Sequence, residues 1–298
     1  MSAASGSVIR TAAELTADLE RLGFPRGGLV MFHSSLRSIG TVGGGAATVV
    51  DALLAAAGPD GTLVAPTFTG QYDDPGFIFD PAETPVTTGA IPNHFFRRPE
   101  ARRTVHIVQT VAAIGPLRDT IIDAGGHDGW DAQPCMRAIF DLDGWFLLLG
   151  VPYQNLTAGH FMEQEIGSHR SPRMAEGLQR LPDGRVVPLR SETWGPDPSF
   201  PGMPERSYDF NRLGEGLEQR GLVRRGAVGN AIARLFRARD LERTAREMFA
   251  ADPELFFKVE GRVTPLHYGV TWTIPDGRHA GADLCVVDPA GVYQEPAK

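Results

Sequence analysis

The sequence predicts an α/β fold: a single domain with a mixed, largely parallel central sheet flanked by helices, followed by a β-rich C-terminal tail. Three observations carry this. The apolar run at 29–32 passes through a glycine-rich loop into a helical pattern at Ala46–Ala57, and a second apolar run follows at 62–68. Such a strand–helix–strand crossover is almost always right-handed, and it leaves the first loop at the C-terminal edge of a parallel sheet, where ligands sit in open α/β folds. A further buried run, Trp145–Leu149, leads through "GVPYQNL" into another helical pattern at Thr157–Ile166.

Taken in order, residues 11–22 read as a helix, with Thr11 as cap and Glu14 completing a capping box. "GFPRGG" turns the chain into the strand at 29–32. The helix at Ala46–Ala57 places Val49, Val50, Leu53, Leu54 and Ala57 at helical spacing and stops at "GPDG". Residues 71–85 are rich in Pro, Asp and Gly and read as a loop too polar for the core. A short helix is expected at 90–98 and a strand at 104–114. "RLPDGRVVPL" reads as a hairpin about a Pro-Asp-Gly turn. Residues 191–206 read as a long Pro-rich loop, and 208–220 and 229–249 as helices. The tail, 259–298, has strand-like pieces of unassigned role, and is taken as an extension of a domain spanning 1–258.

The 298 residues suffice for a large core. The net charge of −7 argues against nucleic acid and is compatible with a cationic small molecule. Only two cysteines, Cys135 and Cys285, are present, so no disulfide framework is expected. The N-terminus lacks the apolar stretch of a signal peptide, and "WFLLLGV" is too short to span a membrane. A cytoplasmic protein with no membrane partner is expected. The sequence leaves the oligomeric state open, a homodimer included.

Two stretches carry chemistry. In "HSSLRSIGTVGGGA" (33–46), Gly43, Gly44 and Gly45 precede a helix whose unpaired N–H groups and dipole favour an anion. Ser34, Ser35, Ser38 and Arg37 add hydroxyls and a positive charge. The pattern is neither the dinucleotide fingerprint nor a P-loop, and a tight turn with permissive glycines is the plain alternative. In "TAGHFMEQE", Thr157, His160 and Glu163 share one helix face. A histidine held by a carboxylate suits a general base. The alternatives are half of a two-metal site, of which no second copy exists, and an ordinary surface pair. Arg103, Thr104 and His106 open a strand, where they either contact a ligand or cap the sheet. Cys135 is a candidate acyl-accepting nucleophile only if a neighbour activates it. His127 lies in a turn, while His94, His169, His267 and His279 have no readable context. "ARLFRARDLERTAR" reads as a charged helix face around an apolar stripe.

Together these segments resemble the aminoglycoside 3-N-acetyltransferase family. The match begins at "GGLVMFHSSLRSIGTVGGGAATVVDALLAAAGPDGTLVAPTFTG" and continues through "FDPAETPVTTGAIPNHFFRRPEARRTVHIVQTVAAIG", "GWFLLLGVPYQNLTAGHFMEQ" and "GAVGNAIARLFRARDLERTAREMF", in order over about residues 10 to 257. The resemblance implies acetyl-CoA as cosubstrate, with no metal. It implies that the loop from His33 to Gly44 (His33, Ser34, Ser35, Leu36, Arg37, Ser38, Val42, Gly43, Gly44) holds pantetheine and pyrophosphate. Thr67, Thr69, Arg103, Thr104 and His106 are implied to lie near the cofactor. Thr157, His160 and Glu163 match the family's Thr-x-x-His-x-x-Glu, whose histidine is the implied base. The implied reaction is direct transfer to the 3-amino group of a 2-deoxystreptamine aminoglycoside, giving resistance. Another amine, or a non-catalytic CoA binder, are the competing readings. Departures from the family pattern fall at Thr104, Ile107, Asn93, Gln133-Pro134 and Gly159.

Overall fold

The computed structural model describes residues 9–70, 74–124, 132–168, 170–197, 199 and 209–257, and the backbone of four two-residue strands between 272 and 294. Along the chain run α1 (Ala12–Leu22), β1 (Leu29–Ser34), α2 (Leu36–Ile39), α3 (Ala46–Ala57), β2 (Thr62–Pro66), β3 (Ile78–Phe79), α4 (Ala90–Phe95), β4 (Arg102–Arg103), β5 (Val111–Ile114), α5 (Arg118–Ala124), α6 (Ala132–Asp141), β6 (Trp145–Leu149), α7 (Thr157–Ile166), β7 (Arg170–Arg180), β8 (Val186–Pro196), α8 (Asn211–Gln219), β9 (Arg224–Val228), β10 (Ala231–Arg237) and α9 (Ala238–Ala251). Where the sequence carries full signals, the elements fall as expected. Thr11 accepts the Glu14 N–H while the Glu14 carboxylate accepts the Thr11 N–H at 2.8 Å, so both halves of the capping box start α1.

Seven strands form one mixed sheet in the order β4-β5-β2-β1-β6-β10-β9. The parallel part is narrower than expected. Only β2, β1 and β6 run parallel, while β5, β4, β10 and β9 add antiparallel at the two flanks. The central strands are buried on both faces, which is why they read as unbroken apolar runs. Alternate residues feed two cores. Met31, Val64, Phe146 and Leu148 pack with Phe140, Phe161, Leu213 and Leu241. Val30, Phe32, Leu63 and Leu147 pack with Leu15, Val50, Leu53 and Phe95. A second sheet, β3-β7-β8, is built on the long hairpin.

Five expectations need correction. Residues 229–249 are not one helix: 231–237 form β10, and only Ala238–Ala251 are helical. Gly229 (φ 58°) opens the turn from β9 to β10. The run "AIARLF" is buried on both faces, and a short run of that kind does not separate strand from helix. Its Arg234 is therefore no solvated charge; it is buried and pairs with Glu218 at 3.3 Å. The strand expected at 104–114 begins only at Val111, because the preceding loop folds around the ring of His106. The segment 71–85 does reach the core, since Phe79 is fully buried and β3 pairs with β7. Residues 191–196 continue β8, so the hairpin arms are 11 residues each. Helices α5 and α6 are not among the expected elements, although Cys135, Met136, Ile139 and Phe140 of α6 fall at helical spacing and are buried. In the tail, 272–273 pair with 279–280 and 286–287 with 293–294, both antiparallel. Among the described residues no helix is long and apolar enough to cross a membrane.

Candidate active site

Strands β1 and β6 lie side by side in parallel, with His33 opposite Leu148 and Ser34 opposite Leu149. Their C-terminal loops therefore leave the sheet together, and hydrogen bonds join them. The Ser35 N–H donates to Leu149 O at 3.0 Å, and Ser38 Oγ donates to Gly150 O at 2.9 Å. A Cβ at Gly150 would lie 2.5 Å from Ser38 Cβ, so the close approach of the loops requires glycine there. Ser35 also caps the short helix α2, leaving Leu36 half-buried and Arg37 exposed. Val42 and Gly43 are pinned to the N-terminal segment, since the Gly43 N–H donates to Arg10 O at 3.0 Å. Gly44 (φ 79°) and Gly45 (φ 63°) then enter α3, which has no side-chain cap, and a Cβ at Gly45 would meet nothing within 4 Å. Among the described residues the start of this 12-residue helix thus carries no side-chain cap, and its first N–H groups remain as donors. Nearby in the chain, Ser34 Oγ is buried without a hydrogen-bond partner among the described residues.

The second loop ends in α7. Its first residue, Thr157, gives its N–H to His33 Nε2 at 3.1 Å, and its Oγ1 lies 2.8 Å from the same nitrogen. An Nε2 that accepts an amide proton must carry its own proton on Nδ1. Burial holds the His33 pKa down at about 3, so the ring is neutral. The Thr157 hydroxyl proton then points at His33, which leaves the oxygen an acceptor toward the site. His33, expected near the cofactor, accepts the first N–H of the helix that carries Thr157.

One turn further, His160 Nδ1 lies 2.7 Å from Glu163 Oε2. Glu163 is fully buried, while about a quarter of the His160 side chain is exposed (26 %), so the pair is not an ordinary surface pair. Arg170, at the start of β7 and nearly buried, lies 2.9 Å from the same Oε2 and 2.8 Å from His160 Nδ1. The Phe210 ring meets the His160 ring edge-on at 4.7 Å. Burial lowers the His160 pKa and Arg170 adds to this, while Glu163 opposes them. Gly159 now has a reason: a Cβ there would lie 2.7 Å from the Phe210 ring. Arg170 and Phe210 were not legible as site residues, because each reaches His160 from outside α7, Arg170 from the following strand β7 and Phe210 from the residue before α8. Among the described residues, no group of three or more His, Cys, Asp or Glu is placed to hold a metal ion.

The residues expected beside the cofactor in the third segment form a closed knot. Arg103 donates to Thr67 O (2.6 Å), Thr84 O (2.7 Å) and Thr110 Oγ1 (3.0 Å), and lies over the Phe96 and Phe79 rings. Burial, with Arg97 nearby, lowers its pKa to about 9. Thr67 Oγ1 bonds Thr110 Oγ1, Thr69 Oγ1 donates to Ile107 O, and Thr104 Oγ1 accepts the Val111 N–H. His106 Nδ1 accepts the N–H groups of Val108 and Gln109, both at 2.8 Å, and Nε2–H donates to Glu192 O at 3.1 Å. The geometry of these side chains is that of a scaffold behind the strand ends. Ile107, where the family has proline, gives its N–H to Ser191 Oγ at 3.1 Å, a bond that proline lacks.

Two buried neutral imidazoles make stability pH-dependent. Burial lowers the His106 pKa to about 4 and that of His33 to about 3. Both lie below the unfolded value, so their contribution is whole above about pH 6.5 and is lost as pH falls toward the folded values. By pH 5 each ring costs about 2 kcal/mol. Urea unfolding at pH 7 and pH 5 is expected to show this loss, and a His106→Gln variant that folds is expected to lose less. Cys135 is not a nucleophile here: it is buried, its Sγ donates to Ile121 O at 2.9 Å, and burial pushes its pKa up to about 12. His127, His169 and His267 lie outside the described residues, and of His279 only the backbone is described.

Comparisons with known proteins bear on the family and the fold. Residues 31–250 match the family model described as aminoglycoside 3-N-acetyltransferase. Aminoglycoside N(3)-acetyltransferase IV of Salmonella sp is 36 % identical over 251 residues, covering 82 % of this chain and 89 % of that protein. The crystal structure of aminoglycoside acetyltransferase AAC(3)-IVa as apoenzyme superposes with a TM-score of 0.70 at 32 % identity, covering 86 % of this chain and 94 % of that one. A histidine-to-alanine mutant of the same enzyme, in complex with a gentamicin, superposes with a TM-score of 0.67 at 32 % identity, covering 84 % and 92 %.

Proposed function

The chain belongs to the aminoglycoside 3-N-acetyltransferase family of acyltransferases, and from that premise we propose that it moves the acetyl group of acetyl-CoA directly to the 3-amino group of a 2-deoxystreptamine aminoglycoside, with His160 as general base. The observation that carries the mechanism is the buried Glu163 carboxylate 2.7 Å from His160 Nδ1. The carboxylate accepts the Nδ1 proton, which places the imidazole lone pair on Nε2. Nε2 removes a proton from the acceptor ammonium, the freed amine attacks the thioester carbonyl, and the N–C bond forms as the C–S bond breaks. The thiolate leaves and takes the proton held by His160, and the second proton on the newly acylated nitrogen passes to the freed imidazole and from there to solvent. Thr157, its hydroxyl proton turned to His33, offers an oxygen to the cationic acceptor rather than a donor to the oxyanion. A backbone N–H is left as the oxyanion donor.

The glycine loop and the start of α3 are the proposed seat of the cofactor phosphates, with Ser34 and Ser35 toward pantetheine. Arg103, Thr104, His106, Thr67 and Thr69 act there by shaping the neighbouring strand ends. Residues 1–258 are the proposed transferase unit, with 259–298 as an extension to it. The cationic acceptor suits the acidic chain. A metal-dependent use of His160 and Glu163 fits poorly, because the Arg170 guanidinium already sits 2.9 Å from the Glu163 oxygen. Gly43→Asp places a negative charge in the proposed phosphate seat at a position outside the left-handed region, where the new Cβ would meet first the exposed Ile9 side chain at 3.1 Å. We expect KM for acetyl-CoA to rise at least about tenfold, with kcat changed little, by the loss of anion binding at the helix start.

The test is thiol release from acetyl-CoA with and without 2-deoxystreptamine aminoglycosides, and NMR assignment of the product. Release that depends on the aminoglycoside, with acetyl on the 3-amino group, is the expected result. CoA binding without release would send the search to other amines or to a non-catalytic binder.

A further inference from the structure

We propose that Arg170 is a positioning residue that keeps His160 in its neutral, proton-accepting form, by balancing the charge of Glu163 before the imidazole does so. The inference rests on the reading of His160 as base. It starts from three atoms that are mutually in contact: His160 Nδ1 and Glu163 Oε2 at 2.7 Å, Glu163 Oε2 and Arg170 Nη1 at 2.9 Å, and Arg170 Nη1 and His160 Nδ1 at 2.8 Å. Two proton arrangements fit those distances. Arg170 could donate to an unprotonated Nδ1, but that would set the ring lone pair against a carboxylate oxygen 2.7 Å away. Alternatively Oε2 accepts from both Nδ1–H and Nη1–H. The second arrangement satisfies every proton, so Oε2 is a shared acceptor and the imidazole lone pair lies on Nε2.

Sharing has a consequence for basicity. A fully buried carboxylate beside a lone histidine draws a proton onto the ring, because an ion pair is cheaper there than an uncompensated anion. Such a histidine would be charged at neutral pH and unable to accept a proton. Here the guanidinium supplies the positive charge first. It is a cation that cannot deprotonate at working pH, and it stands against Nδ1 itself, so a second positive charge on the ring is disfavoured. Among the described residues the charged groups facing the ring are Glu163 from α7 and Arg170 from β7; the residue before α8 presents the uncharged Phe210 ring. The guanidinium is also fixed from the other side, since Nη2 donates to Trp194 O on β8. The long hairpin therefore reaches His160 through the Arg170 side chain. The energetic sense of the arrangement agrees: Arg170 lowers the proton affinity of His160 and Glu163 raises it.

The experiment compares wild type, Arg170→Lys and Arg170→Met, each checked for folding by circular dichroism and for CoA binding, with the pH profile of kcat/KM as the readout. The acid limb is expected to move to higher pH by about one unit or more in Arg170→Met, the usual effect of removing a like charge at contact distance. It should move little in Arg170→Lys, which keeps the charge. Below the new limb, activity in Arg170→Met should fall about tenfold relative to wild type and recover as pH rises. Nitrogen-15 shifts of the His160 ring should report the same displacement without turnover. A uniform drop at all pH values, with unmoved limb and ring titration, would overturn the proposal and leave Arg170 a packing residue. Full activity in His160→Ala would instead remove the reading beneath it, and the ring titration would still decide whether Arg170 acts on His160.

Discussion

His160→Ala is expected to lower kcat for acetyl transfer by about 10²–10⁴-fold, the usual worth of a positioned general base, while CoA binding stays within a few-fold of wild type. The split follows from where the side chain sits. The His160 ring faces Glu163, Arg170 and Phe210, whereas the open glycine loop and the start of α3 belong to the neighbouring strand's loop. Calorimetric CoA titration and steady-state thiol release on the same preparation check it. Loss of CoA binding with intact turnover in the remaining complex would contradict the assignment.

Arg103→Met is the second large effect, on stability rather than chemistry. The variant removes three bonds to Thr67 O, Thr84 O and Thr110 Oγ1 and contacts with two aromatic rings. Bonds from a charged donor count for more than neutral ones, but methionine also escapes the cost of burying a cation, so the expected net loss is about 3 kcal/mol. For a chain of this size that lowers Tm by about 6–12 °C. Protein that remains folded should keep its KM for acetyl-CoA within a few-fold. A large rise in KM at unchanged Tm would mean that Arg103 touches the cofactor itself.

These two residues also mark what the sequence made legible. Local signals were complete around His160: Thr157–Ile166 forms the expected helix, and Thr157, His160 and Glu163 share its inner face. Helix α3 falls at Ala46–Ala57 and the capping box of α1 is in place, because such features are decided within a few residues. Arg103, His33 and Arg170 were harder. The side chain's partners decide each role, and those lie on other elements: Thr67 and Thr84 for Arg103, Thr157 for His33, Glu163 and Trp194 for Arg170. The segment 229–249 misled for a related reason. Burial on both faces erases the alternation that marks a strand, and only pairing with β6 and β9 makes 231–237 extended.

The most direct measurement is a crystal structure of the wild-type protein with CoA and a 2-deoxystreptamine aminoglycoside. The account predicts the 3-amino nitrogen within hydrogen-bond reach of His160 Nε2, about 3 Å, and phosphates over Gly43, Gly44 and Gly45 at the start of α3. An acceptor amine that faces a different base, with His160 Nε2 turned away from it, would contradict the assignment of His160 as the base.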